Sequence, residues 1–434
     1  MKPGPPGGGG PFDRSAVGAT SPTVQVPPAA WAVVVVSCLR SSFFLFLSGL
    51  LALATVVPGA RAVERWDPIW ERSVREDIGS IFVPPVAAVA TDDHGNAYVT
   101  GFRANGSWGS PASSSSMTLA KYGPAGRPLW RRAWTPAPGH HRYAVGFDVA
   151  VAPDGRTVYV VGTQFNDSTE DGVPRIWAYG ATGSLRWIHV AWGGGASAMG
   201  RAVAARRGGV VVGGFTFGEC GPTNGMIAAW SRAGERRWQD PFEPAARPAF
   251  GDALYALAID AQGGIYAVGS QDRSATSCDL TEPTPDVDVS IQRRSATGQV
   301  AWTHVWADGD AVDDDRALSA AARGDAIVVG GRRDGYPGRA WLARIERTGA
   351  VRWSRVFGPE PSAGARVTGL DVSPWGPVYA VGKVKGAMFL RRYALDGRLV
   401  SERRLAGLTA SHVAAGLGGV LYVTGEATLW RMPT

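Results

Sequence analysis

The residues able to do chemistry are few and widely spaced. The acidic run ADGDAVDDDR (307–316) gathers Asp308, Asp310, Asp313, Asp314 and Asp315, the oxygen donors that a hard cation such as Ca2+ takes. Asp310, Asp313 and Asp315 are the metal candidates, and Asp310 and Asp314 are also binding candidates. The spacing departs from the D-x-[DN]-x-[DN]-G loop with its distant Glu, and a solvated acidic loop is the simpler reading. His140 and His141 stand together in TPAPGHHRYAVG as binding candidates, but a third metal ligand is missing. His189 and His304 each follow a Trp by two residues. Arg72, Arg132 and Arg355 take that same place elsewhere in the chain, so it reads as a repeated polar position on a strand rather than a catalytic pair. There is no G-x-S-x-G elbow, no phosphate-binding glycine loop with Lys, no H-E-x-x-H and no Cys-x-x-Cys.

What must position these residues is a repeat. Five stretches keep a Gly four residues before a Trp: GRPLW (126–130), GSLRW (183–187), GERRW (234–238), GQVAW (298–302) and GAVRW (349–353). A sixth, GRLVS (397–401), has Ser401 in the Trp place. Upstream of each lies a second motif: YVTG (98–101), YVVG (159–162), VVGG (211–214), YAVG (266–269), IVVG (327–330) and YAVG (379–382), with a seventh, YVTG, at 422–425. Self-similarity at such intervals marks an array of one supersecondary unit. Each unit carries four short runs of alternating apolar residues, rich in Val and Tyr and parted by Gly turns, which predicts four antiparallel strands and no crossover helix. The expected fold is all-β, a seven-bladed β-propeller of four-stranded antiparallel blades. Seven YxxG motifs against six outer strands leave one strand missing. WDPIWERSV (66–74) supplies it, because Trp70-Glu71-Arg72 matches Trp353-Ser354-Arg355. The last blade then closes through the N-terminal strand, a 3+1 clasp that removes two exposed sheet edges.

Units such as GNAYVTG followed by LAKYGPAGRPLWRRAW resemble the bacterial β-propeller repeat called SBBP. They are also similar to the tryptophan-docking repeats of PQQ-type quinoprotein propellers. The resemblance spans roughly residues 63–434 and implies the fold; it does not imply an activity, because propellers host many. A quinoprotein would need a cofactor-stacking Trp and a Ca2+ cluster at the channel mouth, and only scattered acids are visible. No cofactor is expected, with Ca2+ left open.

The segment before the repeats divides in two. Residues 1–40, rich in Pro, Gly and Ser, read as a disordered or mis-assigned extension. Residues 41–62 read as a secretory signal: Arg40, an apolar run through Val57, Pro58-Gly59, and cleavage after Ala62. An uncleaved membrane anchor at 41–57 is the alternative, and the only expected link to a membrane. Residues 1–62 hold four cations against one Asp, so +4 of the net +7 belongs to the remainder. Spread without a Lys/Arg run, that charge does not suggest nucleic acid. The expected location is outside the cytoplasm: secreted, periplasmic or on the cell surface.

Of three cysteines, Cys38 leaves with the signal. Cys220 and Cys278 fall in equivalent loops of adjacent units, where an exported protein could join them in a disulfide. Loops after the YxxG strand are long in the first four units, one of them carrying Trp108, and shorter in the last three. In a four-stranded meander they share a face with the inter-blade connections. A ligand is therefore expected on that face near the channel, from Trp108, His140, His141, Asp310 and Asp314. The leading functional reading is an exported, monomeric, non-enzymatic scaffold for a protein or carbohydrate ligand at the cell envelope. The alternative is a propeller enzyme, quinoprotein-like or a lyase or hydrolase. Carboxylates, His and Arg converging on a deep pocket would favour the enzyme.

Overall fold

The computed structural model describes residues 68–73, 88–105, 113–137, 142–165, 172–193, 197–218, 221–242, 252–272, 287–306, 314–333, 338–358, 364–406, 410–417, 419–425 and 428–433. They form seven four-stranded antiparallel sheets, the blades of a β-propeller, and all belong to the unit Val63–Thr434. No helix among the described residues is long and apolar enough to cross a membrane. The predicted segments 1–40 and 41–62 lie outside the described residues.

The inner strands of blades one to seven are Ala88–Thr91, Tyr143–Val151, Ala198–Arg206, Ala253–Ile259, Arg316–Arg323, Ala365–Val372 and His412–Gly416. The outer strands of blades one to six are Pro128–Trp134, Leu185–Val190, Arg236–Phe242, Val300–Trp306, Val351–Phe357 and Leu399–Ala406. In blade seven the outer place is taken by Trp70–Ser73, which pairs antiparallel with Thr428–Pro433 in the register Trp70↔Arg431 to Ser73↔Thr428. The YxxG tyrosines Tyr98, Tyr159, Tyr266, Tyr379 and Tyr422 are completely buried. Their aromatic bodies fill the space between sheets, where bulky rings bury the most area.

The Gly four residues before each Trp is a seat as well as a turn. A side chain on Gly183, Gly234, Gly298 or Gly397 would press on the indole of Trp130, Trp187, Trp238 or Trp353 respectively, and one on Gly349 would come into van der Waals contact with that of Trp302, each from the preceding blade. Four of these indoles donate Nε1–H to a backbone carbonyl beside the seat: Trp130 to Ala181 at 3.0 Å, Trp187 to Arg232 at 3.0 Å, Trp302 to Arg347 and Trp353 to Leu395, both at 2.8 Å. A guanidinium two residues on donates to the seat itself, Arg132 to Gly183 and Arg355 to Gly397. Arg72 does the same to Gly126 at 3.1 Å, so the borrowed strand of blade seven docks on blade one in the register of the others. Ser401 now has a reason. The next blade, the seventh, joins its third and outer strands from opposite ends of the chain and has no hairpin glycine to receive an indole.

The YxxG glycine answers a different constraint. Every inner strand from blade two to blade six carries a bulge opposite it, at Gly146/Asp148, Gly200/Ala202, Leu254/Ala256, Ala317/Ser319 and Val367/Gly369. A Cβ on Gly162, Gly214, Gly269, Gly331 or Gly382 would collide with an inner-strand carbonyl there. In blade five the residue so constrained is Gly331, one beyond the Gly330 that closes IVVG; the motif is therefore VVGG at 328–331, as in blade three.

The Trp seat makes a measurable prediction. Trp353 is 9% exposed, and its truncation to Ala should cost about 3 kcal/mol. Gly397 has φ +83° and lies so close that a Cβ would stand 2.6 Å from the Trp353 ring, so Gly397→Ala should cost more than 1 kcal/mol. Because both changes break one contact, a denaturation double-mutant cycle should give coupling above about 0.5 kcal/mol. Additive losses would contradict the seat.

Candidate functional site

The seven inner strands turn their unpaired edges to the axis and enclose a cavity of about 360 Å3. Its wall is mostly alanine and valine, so space remains along the axis, and the backbone edge is left needing partners. Two aspartates supply them. Asp148 accepts from the N–H of Val149 at 2.8 Å and of Val203, on the next blade, at 2.9 Å. Asp371 repeats the device between blades six and seven, accepting from Val372 at 2.7 Å and Ala415 at 2.6 Å. Each carboxylate ties two neighbouring inner edges together.

Burial pushes the Asp148 carboxyl up to about 7, against the pull of its two amide donors and of Arg201. Burial likewise raises Asp371 to about 6, opposed by its amides and by Arg323. The wall around them also carries Ser319, Arg323 and His412.

The bulges aim a second set of residues. The extra residue in each is Phe147, Arg201, Tyr255, Leu318 or Thr368, and the last four line one mouth of the channel. Bulges commonly re-aim a side chain in this way. The Arg201 guanidinium lies 4.8 Å over the Phe147 ring, a cation–π contact that holds it in place. Burial lowers its pKa, while Tyr255 and Asp148 raise it. The Tyr255 hydroxyl accepts from Arg316 Nη1 at 3.2 Å, and Arg316 Nε donates to Asp314 at 2.5 Å. Arg332 grips the other oxygen of Asp314 and, through Nε, its carbonyl. This mouth is the end where the inter-blade connections enter, so it shares a face with the loops that follow the YxxG strands.

Of the residues expected from sequence, Asp314 belongs to this mouth, as the partner of two arginines. Asp315 is 1% exposed and accepts from Arg333 at 3.1 Å. Both described carboxylates of the acidic run thus face guanidinium groups, and no cluster of three or more His, Cys, Asp or Glu suited to a metal occurs among the described residues. Trp108, His140, His141, Asp310, Asp313, Cys220 and Cys278 lie outside the described residues. His189 sits on an outer strand, stacked 5.0 Å from Trp230 and 5.2 Å from Trp187, and His304 packs edge-on to Trp306 at 5.2 Å. Sequence reasoning missed Asp148, Arg201, Tyr255, Arg316, Arg332 and Asp371. The one available signal was a polar residue inside an otherwise apolar inner strand, as in GFDVAV and GLDV.

No protein-family profile and no curated protein sequence matches the chain. Among solved structures, the chain is similar to a streptogramin B lyase, at 10% identity over 85% of this chain and 99% of the other, with a TM-score of 0.50. It also aligns with the β-propeller domain of the Trilobed protease from Pyrococcus furiosus, described as an open velcro topology, at 11% identity over 78% of this chain and 91% of that one, with a TM-score of 0.44. At such identity the first likeness establishes the propeller fold and carries no activity across.

The two raised carboxyls set a pH dependence. An unfolded Asp releases its proton near 3.8, whereas the folded chain holds these protons to about 6 and about 7. The folded state therefore binds more protons in that window, and stability must fall as pH rises through it. Between pH 4 and pH 7.5 the melting temperature should decline more steeply for the wild type than for Asp148→Asn/Asp371→Asn. Parallel curves would contradict the assignment.

Proposed function

We propose that this is an exported, monomeric propeller of the SBBP kind, with quinoprotein-like Trp docking, that binds its ligand at the channel mouth on the long-loop face without transforming it. The Gly–Trp seats support the kinship, and the apolar run before Pro58-Gly59 supports export. The expected partner is a protein or carbohydrate at the cell envelope. One observation carries the reading: successive bulges aim Arg201, Tyr255, Leu318 and Thr368 into a single opening above a cavity of about 360 Å3. A concave site with a few convergent polar groups is where ligands bind, and rigid strands hold it.

A second reading is a propeller enzyme, a quinoprotein-like oxidoreductase or a lyase or hydrolase. Its support is that Asp148 titrates near neutrality beside Arg201, as a general acid–base group should. Both Asp148 oxygens are already held by backbone N–H groups, so binding takes precedence.

Narrowing the mouth tests the first reading. Native mass spectrometry of the purified protein against pooled envelope saccharides and metabolites should find a ligand that Leu318→Trp no longer retains while its melting temperature stays within a few degrees of wild type. A ligand held equally well by that variant would place binding elsewhere. Turnover abolished by Asp148→Asn with binding intact would favour the enzyme.

A further inference from the structure

Blades five and six each open with a facing pair of cations. Arg316 stands directly across from Arg332, and Arg366 directly across from Lys383. Like charges in that relation repel, because side chains of facing residues are neighbours on one side of a sheet. The fold does not ask for them: the same paired position holds Val145 and Thr163 in blade two, Met199 and Phe215 in blade three, and Ala253 and Ser270 in blade four. In blade five the repulsion is relieved from within, since one carboxylate, that of Asp314, bridges both guanidinium groups. In blade six Gly364 stands where Asp314 does, two residues before the inner-strand cation. No carboxylate pairs with Arg366 or Lys383 among the described residues. The two pairs are close enough to interact: burial lowers the Arg332 pKa most, and the charges of Arg316 and Arg366 lower it further.

We propose that an oxyanion of the ligand, a carboxylate or a phosphate, bridges Arg366 and Lys383 in blade six as Asp314 bridges Arg316 and Arg332 in blade five. The chemistry is that of charge-assisted hydrogen bonds from a guanidinium and an ammonium to one anionic group. Arg366 is exposed and Lys383 half-buried, so the position is open to solute. The ligand is therefore acidic: an acidic saccharide carrying uronate groups, or a small phosphorylated or polycarboxylate molecule. This inference rests on the reading that ligands enter at this mouth, and adds to it the sign of their charge.

Calorimetric titration of the full chain at low ionic strength with inorganic pyrophosphate and with trigalacturonate, and neutral galactotriose as a control, tests it. At least one anionic probe should bind, galactotriose should not, and affinity should fall as salt is added. Arg366→Gln/Lys383→Gln should weaken that probe tenfold or more. Arg127→Gln/Arg156→Gln, an equal loss of charge on the turns of the opposite face, should change it less than twofold. Preference for trigalacturonate would assign the site to acidic saccharides, and preference for pyrophosphate to phosphorylated small molecules. Failure of both anions to bind, or equal weakening in the two double variants, would overturn the inference. A neutral ligand displaced by Leu318→Trp but indifferent to Arg366→Gln/Lys383→Gln would sink it and leave the mouth as the binding site.

Discussion

The seating of Trp130, Trp187, Trp238, Trp302 and Trp353, each on a glycine of the next blade, is the contact on which the ring depends. Blades touch only their neighbours, so whatever fixes the angle between two sheets fixes the curvature of the whole. An indole pressed flat on a peptide and hydrogen-bonded at its far end, as Trp353 is to Leu395, defines that angle more tightly than aliphatic packing. Glycine is required for two reasons at once. Gly397 takes a positive φ in its hairpin, and it leaves no Cβ to lift the ring off the backbone. Where blade seven has no hairpin to offer, the preceding blade carries Ser401.

A second glycine connects the scaffold to its opening. The YxxG glycine makes room for an inner-strand bulge, and in blades three to six the bulge turns one side chain into the mouth. The part of the sequence that looks most like plain scaffold thus decides where Arg201 and Tyr255 point. On the axis, Asp148 and Asp371 satisfy the backbone edges that the ring leaves open, which explains carboxylates kept on a wall otherwise built of alanine and valine.

The architecture was legible because each of its causes is local. The Gly–Trp spacing, the YxxG run and the surplus Trp70 strand can all be read off the sequence, and the seven sheets and the Trp70–Ser73 pairing follow them. The site was less legible for an equally physical reason. A bulge breaks the two-residue period by which strand faces are assigned, so Arg201, Tyr255 and Thr368 looked like ordinary strand positions. Two adjacent glycines, Gly330 and Gly331, hide which of them is constrained in blade five, and only the pairing of Gly331 with Ala317 separates them. Asp314 was found for its charge, but what it faces, a cross-strand pair of arginines, depends on register. The histidine and cysteine candidates of the loops lie outside the described residues.

The ring closes through the pairing of Trp70–Ser73 with Thr428–Pro433, and amide hydrogen exchange on the full-length protein tests that closure most directly. The Ile69 N–H donates to the Arg431 carbonyl at 2.7 Å. The amides of residues 69–73 that point toward Thr428–Pro433 should exchange as slowly as the paired amides of Val351–Phe357. Exchange of the 69–73 amides at the rate of an unstructured peptide, with Thr428–Pro433 still protected, would contradict the closure.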